Sequence, residues 1–261
     1  MQLDTILSVN DLWVNYGTKI AVESVSYDVQ EGDLVGVVGA NGSGKSSMFK
    51  AILGLLPHRG TVSLFGRAFH RDLLRSVGYV PQKISFEPMF PATVFDVVAM
   101  ALTRATLTPT DRRHGIVDSD MSNSEKVMKC LNIVRMWGLR HRRIGALSGG
   151  ELQRVFIAQS LVRNPSLLIM DEPAVGLDVK SQKLFYSIMQ EANSEYGITM
   201  IVSLHNMDVV KEYSNKVVCM NRTLAFHGKT SDFFADEKLL GLCTEYKLQD
   251  RPHPHEHSHE A

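Results

Sequence analysis

Residues 39–47 read "GANGSGKSS", directly after the apolar run "DLVGVVG" at 33–39 and at the head of a helix-forming run, "KSSMFKAILGLL" at 45–56, ended by Pro57. The spacing is G-x-x-x-x-G-K-[ST], with Gly39, Gly44, Lys45 and Ser46 in the fixed places and Ala40, Asn41, Gly42, Ser43 and Ser47 completing the loop. Glycines lack a Cβ, so the backbone can curl close to a polyphosphate while successive N–H groups converge on its oxygens. The helix that follows turns its positive end toward the same anion. Lys45 can reach the outer phosphates, and Ser46 offers a hard oxygen to Mg²⁺. A chance glycine-rich turn is the alternative, but the preceding strand and following helix are the context the motif requires.

A second element lies downstream. In "LLIMDEP", residues 167–173, four apolar residues form a buried strand that delivers Asp171 and Glu172 at its C-terminal end. Open α/β sheets bind ligands outside that end. Asp171 is placed to hold a metal's water shell, and Glu172 could polarise an attacking water if it faces the γ-phosphate. Two acids after a strand are otherwise a turn or a helix cap; joined to the phosphate loop they make a nucleotide-hydrolysis site.

Around these motifs the chain alternates strand and helix. Short alternating stretches, "ILSVNDLWVNYG" and "AVESVSYDVQEGD", precede the loop, and "GTVSLFG" and "VGYVP" follow it as strands. From about Lys83 to Ala146 the pattern turns helical, with "TVFDVVAMAL" and "SNSEKVMKCLNIVRMWG" as helices, the latter capped by Asn123 or Ser124. A polar loop, "TPTDRRHGIVDSD", joins them, and after Ser148 strands and helices alternate again. The alternation argues for a parallel sheet covered by helices, with an inserted helical lobe.

With 261 residues and 28 basic against 28 acidic side chains, the chain carries zero formal charge. No basic excess points to nucleic acid. No stretch approaches the roughly 18–20 apolar residues of a bilayer span, and the N-terminus lacks the pattern of a secretory leader. These features predict a soluble, cytosolic chain that meets a membrane only through a partner. Cys130, Cys219 and Cys243 are far apart, have no CxxC spacing, and are expected to be reduced and mostly buried.

"LSGGELQRV" at 147–155 decides the kind of hydrolase. Ser148 and Glu151 have the S-x-x-E spacing of a capping box, so the segment starts a helix, and such a helix end is also an anion site. Together with the phosphate loop and "LLIMDEP", it resembles the ATP-binding cassette ATPases over nearly the whole chain, from Leu7 to about Leu240. The resemblance implies an α/β fold: a P-loop NTPase (RecA-like) core with an N-terminal antiparallel β region and an inserted α-helical subdomain. The core is expected over 1–83 and 150–240, with the β region within 1–30, the helical subdomain carrying the signature over 84–149, and a His-rich tail over 241–261.

The resemblance also assigns roles. ATP and Mg²⁺ are the implied substrate and cofactor. Ser148, Gly149, Gly150 and Glu151 are expected to face the γ-phosphate held by the opposite cassette of a head-to-tail homodimer, with Asp178 of "GLD" in the loop that crosses the seam. Tyr16 looks like the aromatic that stacks on adenine. Gln82 looks like the lid glutamine that touches Mg²⁺ or the attacking water, so Ser46, Gln82 and Asp171 form the magnesium set. Glu172, His205 and Gln82 form the catalytic set, with His205 as the switch histidine on the γ-phosphate. Two departures stand out: Glu151 replaces the commoner Gln, and Asn206 replaces the Asp that often follows the switch histidine, leaving the support of His205 open.

Such cassettes power transporters or serve as soluble ATPases in repair, translation or iron–sulfur assembly. A single short cassette without a heptad insertion fits the transporters. "KISFEPMFPATVFDVVAM" then lies where a permease's coupling helix docks, and Phe86, Met89, Phe90 and Phe95 serve docking, lobe core, or both. The resemblance is to importers of zinc, manganese or iron. It implies a peripheral subunit on the cytoplasmic face of the cell (inner) membrane, integral permease subunits, and indirectly an extracytoplasmic metal-binding protein. The closing "RPHPHEHSHEA" sets His253, His255, His257 and His259 at alternate positions, where they could hold zinc, a better match for imidazole than Mg²⁺ is. The alternative is a solvated tail without a task.

Overall fold

A computed structural model describes residues 4–82, 90–102, 116–118 and 120–243. Strands β1 (Thr5–Tyr16) and β2 (Lys19–Gln30) form an antiparallel pair, and β3 (Leu34–Val38) leads through the glycine loop into α1 (Lys45–Ile52). Next come β4 (Arg59–Leu64), β5 (Arg67–Ala68) and β6 (Val77–Val80), then helices α2 (Val94–Ala99), α3 (Asn123–Ile133) and α4 (Gly149–Leu161). The chain continues through β7 (Leu167–Met170), α5 (Val179–Tyr196), β8 (Thr199–Ser203), α6 (Met207–Tyr213), β9 (Lys216–Asn221) and β10 (Thr223–Lys229), and closes with α7 (Thr230–Ala235) and α8 (Glu237–Cys243).

Two sheets result. One is antiparallel in the order β2-β1-β4-β5; the other runs β10-β9-β3-β8-β7-β6 and is parallel except at the edge pair β9–β10. The second sheet is the parallel, helix-covered sheet expected from the alternation, and the first supplies the antiparallel region that the resemblance implies. Strand β3 explains how the layers stack. Its side chains alternate, so Val35 and Val37 join the core between the two sheets, where Phe49 and Ile52 of α1 lie, while Leu34 and Val38 join the core on the opposite face. Leu168 and Met170 of β7 divide from Leu167 and Ile169 in the same way. A strand buried on both faces reads as a continuous apolar run for this reason.

The helical region shares the second core. Val94 and Val97 of α2, Val127 and Leu131 of α3, and Val155 and Leu161 of α4 belong to one cluster with Phe185 and Ile188 of α5. Helix α4 therefore carries the signature segment at its tip while its body is anchored against sheet and lobe together.

Local signals differ from the sequence reading at several points. Helix α1 ends at Ile52, short of Pro57: Gly54 takes φ +65°, its N–H reaches Ala51 O at 2.9 Å, and Leu55 N–H reaches Lys50 O at 2.8 Å. These paired bonds satisfy the last carbonyls and stop the helix before the proline matters. The cap of α3 is Ser122, not Asn123 or Ser124, because Ser122 and Glu125 form a reciprocal capping box. Cys130 is a buried free thiol, whereas Cys219 is disulfide-bonded, contrary to the expectation of reduced cysteines throughout. Phe86, Met89 and the tail histidines lie outside the described residues.

His227 on β10 sets its ring edge-on to Tyr27 on β2, with centroids 5.8 Å apart. Burial first, and then the neighbouring Lys216 charge, hold its pKa below 6.5. The unfolded chain then binds a proton that the folded chain refuses, so stability falls as pH drops through that range. Replacing His227 by Phe keeps a ring against Tyr27. The urea midpoint of that variant should vary less between about pH 7 and pH 5 than that of the parent chain.

Candidate active site

The loop between β3 and α1 is built from positions that only glycine fits. Gly39 has φ +151°, and a Cβ there would lie 2.2 Å from Met220 O and 2.7 Å from Ser43 Oγ. Gly44 has φ +102°, and its Cβ would lie 2.4 Å from Ala21 O. Backbone of β9 and β2 thus presses on the loop from both sides. Lys45 is buried, and its ammonium donates to Gly39 O at 2.7 Å and Ala40 O at 3.2 Å. The cation is held in place by carbonyl dipoles of the loop itself.

Over the loop opens a cavity of about 380 Å³, lined by Tyr16, Lys19, Ile20, Ala21, residues 41–47 and Glu172. Tyr16 is half exposed at its side, and its hydroxyl shares a 3.3 Å hydrogen bond with Ser47 Oγ. The residues fit a nucleoside triphosphate on three counts. The glycine cradle leaves no room for a Cβ, α1 has no side-chain cap on its leading N–H groups, and the buried Ser43 Oγ has no hydrogen-bond partner among the described residues. Ser46, Asp171 and Gln82 supply the hydroxyl, carboxylate and amide oxygens that a hard cation such as Mg²⁺ takes.

The acidic pair sits where β7 ends. Asp171 is 2% exposed and accepts from Ser203 Oγ at 3.0 Å. Its charge, after burial, pushes the Tyr79 phenol up to about 12. Glu172 turns out of the strand with φ +46°, a left-handed conformation uncommon outside glycine, and its N–H donates to Ser203 Oγ at 2.6 Å. Its carboxylate is gripped from two sides: Gln82 Nε2 donates to Oε2, and His205 Nε2 stands 2.7 Å from Oε1. Residues from three widely separated segments meet on one carboxylate. Ser203 is the participant that motif reading missed; its only sequence signal is a polar residue closing the apolar run "TMIV".

Asn206 does not support His205 through its side chain. Its Oδ1 caps α6, accepting from Asp208 N–H at 2.9 Å and Val209 N–H at 3.4 Å.

The signature residues do not line the cavity, nor does Asp178. Ser148 caps α4, and the Glu151 carboxylate accepts from Ser148 N–H at 2.8 Å and from Ser148 Oγ at 2.9 Å. Those bonds, the backbone one foremost, hold the Glu151 carboxyl below the usual range. Gly150 is close to α5, where a Cβ would lie 3.2 Å from Ser181 Cβ. Asp178 caps α5 and is held low by the Ser181 hydroxyl, which donates to it at 2.6 Å.

The family model described as ABC transporter matches residues 22–175. The zinc uptake system ATP-binding protein ZurA of Listeria innocua is 37% identical over 95% of this chain and 96% of its own length. The manganese transport system ATP-binding protein MntB of Halalkalibacterium halodurans is 35% identical over 91% of each. In fold, the chain matches the ADP conformation of MJ1267, an ATP-binding cassette of an ABC transporter, with a TM-score of 0.77 and 24% identity over 91% of this chain and 98% of that one.

A methyl group at Gly39 would meet a backbone carbonyl that cannot yield without moving the end of β9. Gly39→Ala should weaken ATP binding by about fivefold to 150-fold, the equivalent of the 1–3 kcal/mol typical of a strained backbone position. Titration with a fluorescent nucleotide would check it; unchanged affinity would place the triphosphate elsewhere.

Proposed function

The chain belongs to the ABC transporter family as an ATP-binding subunit that hydrolyses ATP to drive import, and from that premise we propose that its cargo is zinc and that its reaction centre is built as follows. The triphosphate rests in Gly39, Ala40, Asn41, Gly42, Ser43, Gly44, Lys45, Ser46 and Ser47, with the base against Tyr16. Ser46, Asp171 and Gln82 would hold Mg²⁺, which when bound would supply charge neutralisation on the phosphate oxygens. Glu172 orients the attacking water, while His205 and Gln82 fix the direction of its carboxylate. The observation that carries this reading is the Glu172 side chain, which lines the nucleotide cavity yet is bound by both Gln82 and His205.

Import ATPases of this family work as dimers with membrane permeases, and no described helix is long and apolar enough to cross a membrane. In the proposed dimer, Ser148, Gly149, Gly150 and Glu151 of one cassette close on the nucleotide of the other, and Asp178 lies at the seam between two exposed valines, Val175 and Val179. Contacts made only in the closed pair would favour closure by their own binding energy. The lobe over 84–149 receives the permease: Phe90, Pro91, Ala92, Asp96, Ala99 and Met100 line a shallow cavity of about 410 Å³ that suits a helix end. The subunit then works from the cytoplasmic face of the membrane, downstream of an extracytoplasmic metal-binding protein.

Zinc is favoured because two Listeria zinc uptake proteins match at 37% and 38% identity and because the tail is rich in imidazole, which suits zinc better than manganese. Manganese is the second reading, supported by the manganese transport relatives. A strain lacking this gene should fail to grow under chelation and recover with added zinc. The restored gene should rescue growth at low zinc, and a Glu172→Gln copy should not, its turnover falling by about 10²–10⁴-fold. Recovery with manganese alone would reassign the cargo.

His253, His255, His257 and His259 lie outside the described residues, and we read them as a zinc-holding segment at the cytoplasmic exit. Deleting residues 251–261 should lower the zinc bound per purified chain. Equal binding with and without them would leave a solvated tail.

A further inference from the structure

Ser203 closes β8 beside the end of β7, one step beyond the registered pair Met170 and Val202. It is 1% exposed and belongs to none of the sequence motifs. Its hydroxyl carries one proton, which is donated to Asp171 Oδ1 at 3.0 Å. A lone pair of the same oxygen receives the Glu172 N–H at 2.6 Å. One buried hydroxyl therefore joins the carboxylate of the first acid to the main chain of the second. The second acid is also the one held at φ +46°, where a side chain is disfavoured unless its surroundings impose it.

We propose that Ser203 is a positioning residue for ATP hydrolysis, pinning the left-handed turn at Glu172 so that its carboxylate faces the nucleotide cavity. The inference rests on the reading of Glu172 as the residue that orients water. Gln82 and His205 fix the tip of the Glu172 side chain, but neither touches its backbone. Without the Ser203 hydroxyl, the Glu172 N–H and Asp171 Oδ1 each lose their bond to β8. Glu172 can then relax toward an ordinary conformation, and its carboxylate swings with the main chain. The phosphate loop, built on β3 and α1, makes no bond to Ser203 Oγ, so nucleotide affinity is expected to survive.

The test uses the full-length chain with Ser203→Ala, Ser203→Thr, Glu172→Gln and the double variant Ser203→Ala/Glu172→Gln. Turnover, the KM for ATP, the Kd for a fluorescent ATP analogue and the melting temperature are measured for each. Ser203→Ala should lower kcat by about tenfold to a hundredfold, as expected for a lost hydrogen bond to a charged network, with KM and Kd within about threefold of the parent. Threonine keeps the hydroxyl and should recover most of that loss. In the Glu172→Gln background the same change should alter residual turnover by less than about twofold, because the group being positioned is already gone.

An unchanged kcat in Ser203→Ala, a Kd that worsens in step with turnover, or a threonine variant no better than alanine would each overturn the proposal. If the alanine chain does not fold, Ser203→Cys, similar in shape with a weaker donor, should show the same split between kcat and Kd, and its absence overturns the proposal equally. Full turnover in Glu172→Gln would instead remove the water-orienting reading on which the proposal stands, a result separable from any behaviour of Ser203.

Discussion

Register in the parallel sheet holds this site together. Val37 of β3 pairs with Ser203 of β8, and Met170 of β7 pairs with Val202, so the three strands finish level with one another. The phosphate loop leaves from β3, the acids from β7, and the serine and histidine from β8, all at the same edge. A slip of one residue would also send each side chain to the opposite face, which two apolar cores forbid. Hydrophobic packing, which has no chemistry of its own, therefore sets ångström-scale distances between polar groups.

That edge carries ionised groups with little water, and the structure answers each with a specific partner. Lys45 is answered by two loop carbonyls, Asp171 by the Ser203 hydroxyl, and Glu172 by an amide and an imidazole. Burying a charge is tolerable only when such partners are present. Those on Lys45 are also replaceable: carbonyl dipoles compete poorly with a phosphate for an ammonium ion. The loop is thus organised around its lysine in a way that nucleotide can take over without rebuilding the backbone.

Much of this was legible in the sequence because the signals are local. The loop spacing, the apolar run ahead of Asp171 and the S-x-x-E at Ser148 each lie within nine residues, and each matches a structural element. What escaped is contact between distant segments. Nothing in "TMIVSLH" says that Ser203 touches Asp171, because that requires knowing that β7 and β8 are neighbours in register. The α1 stop differs from the expected one for another reason: Gly54 ends the helix through local backbone bonds ahead of Pro57. At α3 three candidate caps stand in a row, and only Ser122 has Glu125 three residues on.

Glu151 illustrates how a departure from a family pattern can be neutral for one task and useful for another. As the third helical residue it accepts from the N–H and the hydroxyl of Ser148, which leaves the Ser148 hydroxyl oriented and the helix start rigid. The capping box satisfies the Ser148 and Glu151 N–H groups but not those of Gly149 and Gly150, which point out along the axis. Neither glycine has a side chain to screen them. The negative charge of Glu151 is drawn back against its own cap and toward Arg142, whose guanidinium lies 3.7 Å from it. An acid in that place consequently stiffens the helix tip while leaving its two leading donors open to an anion on another molecule. That is the property the proposed nucleotide site between two cassettes needs.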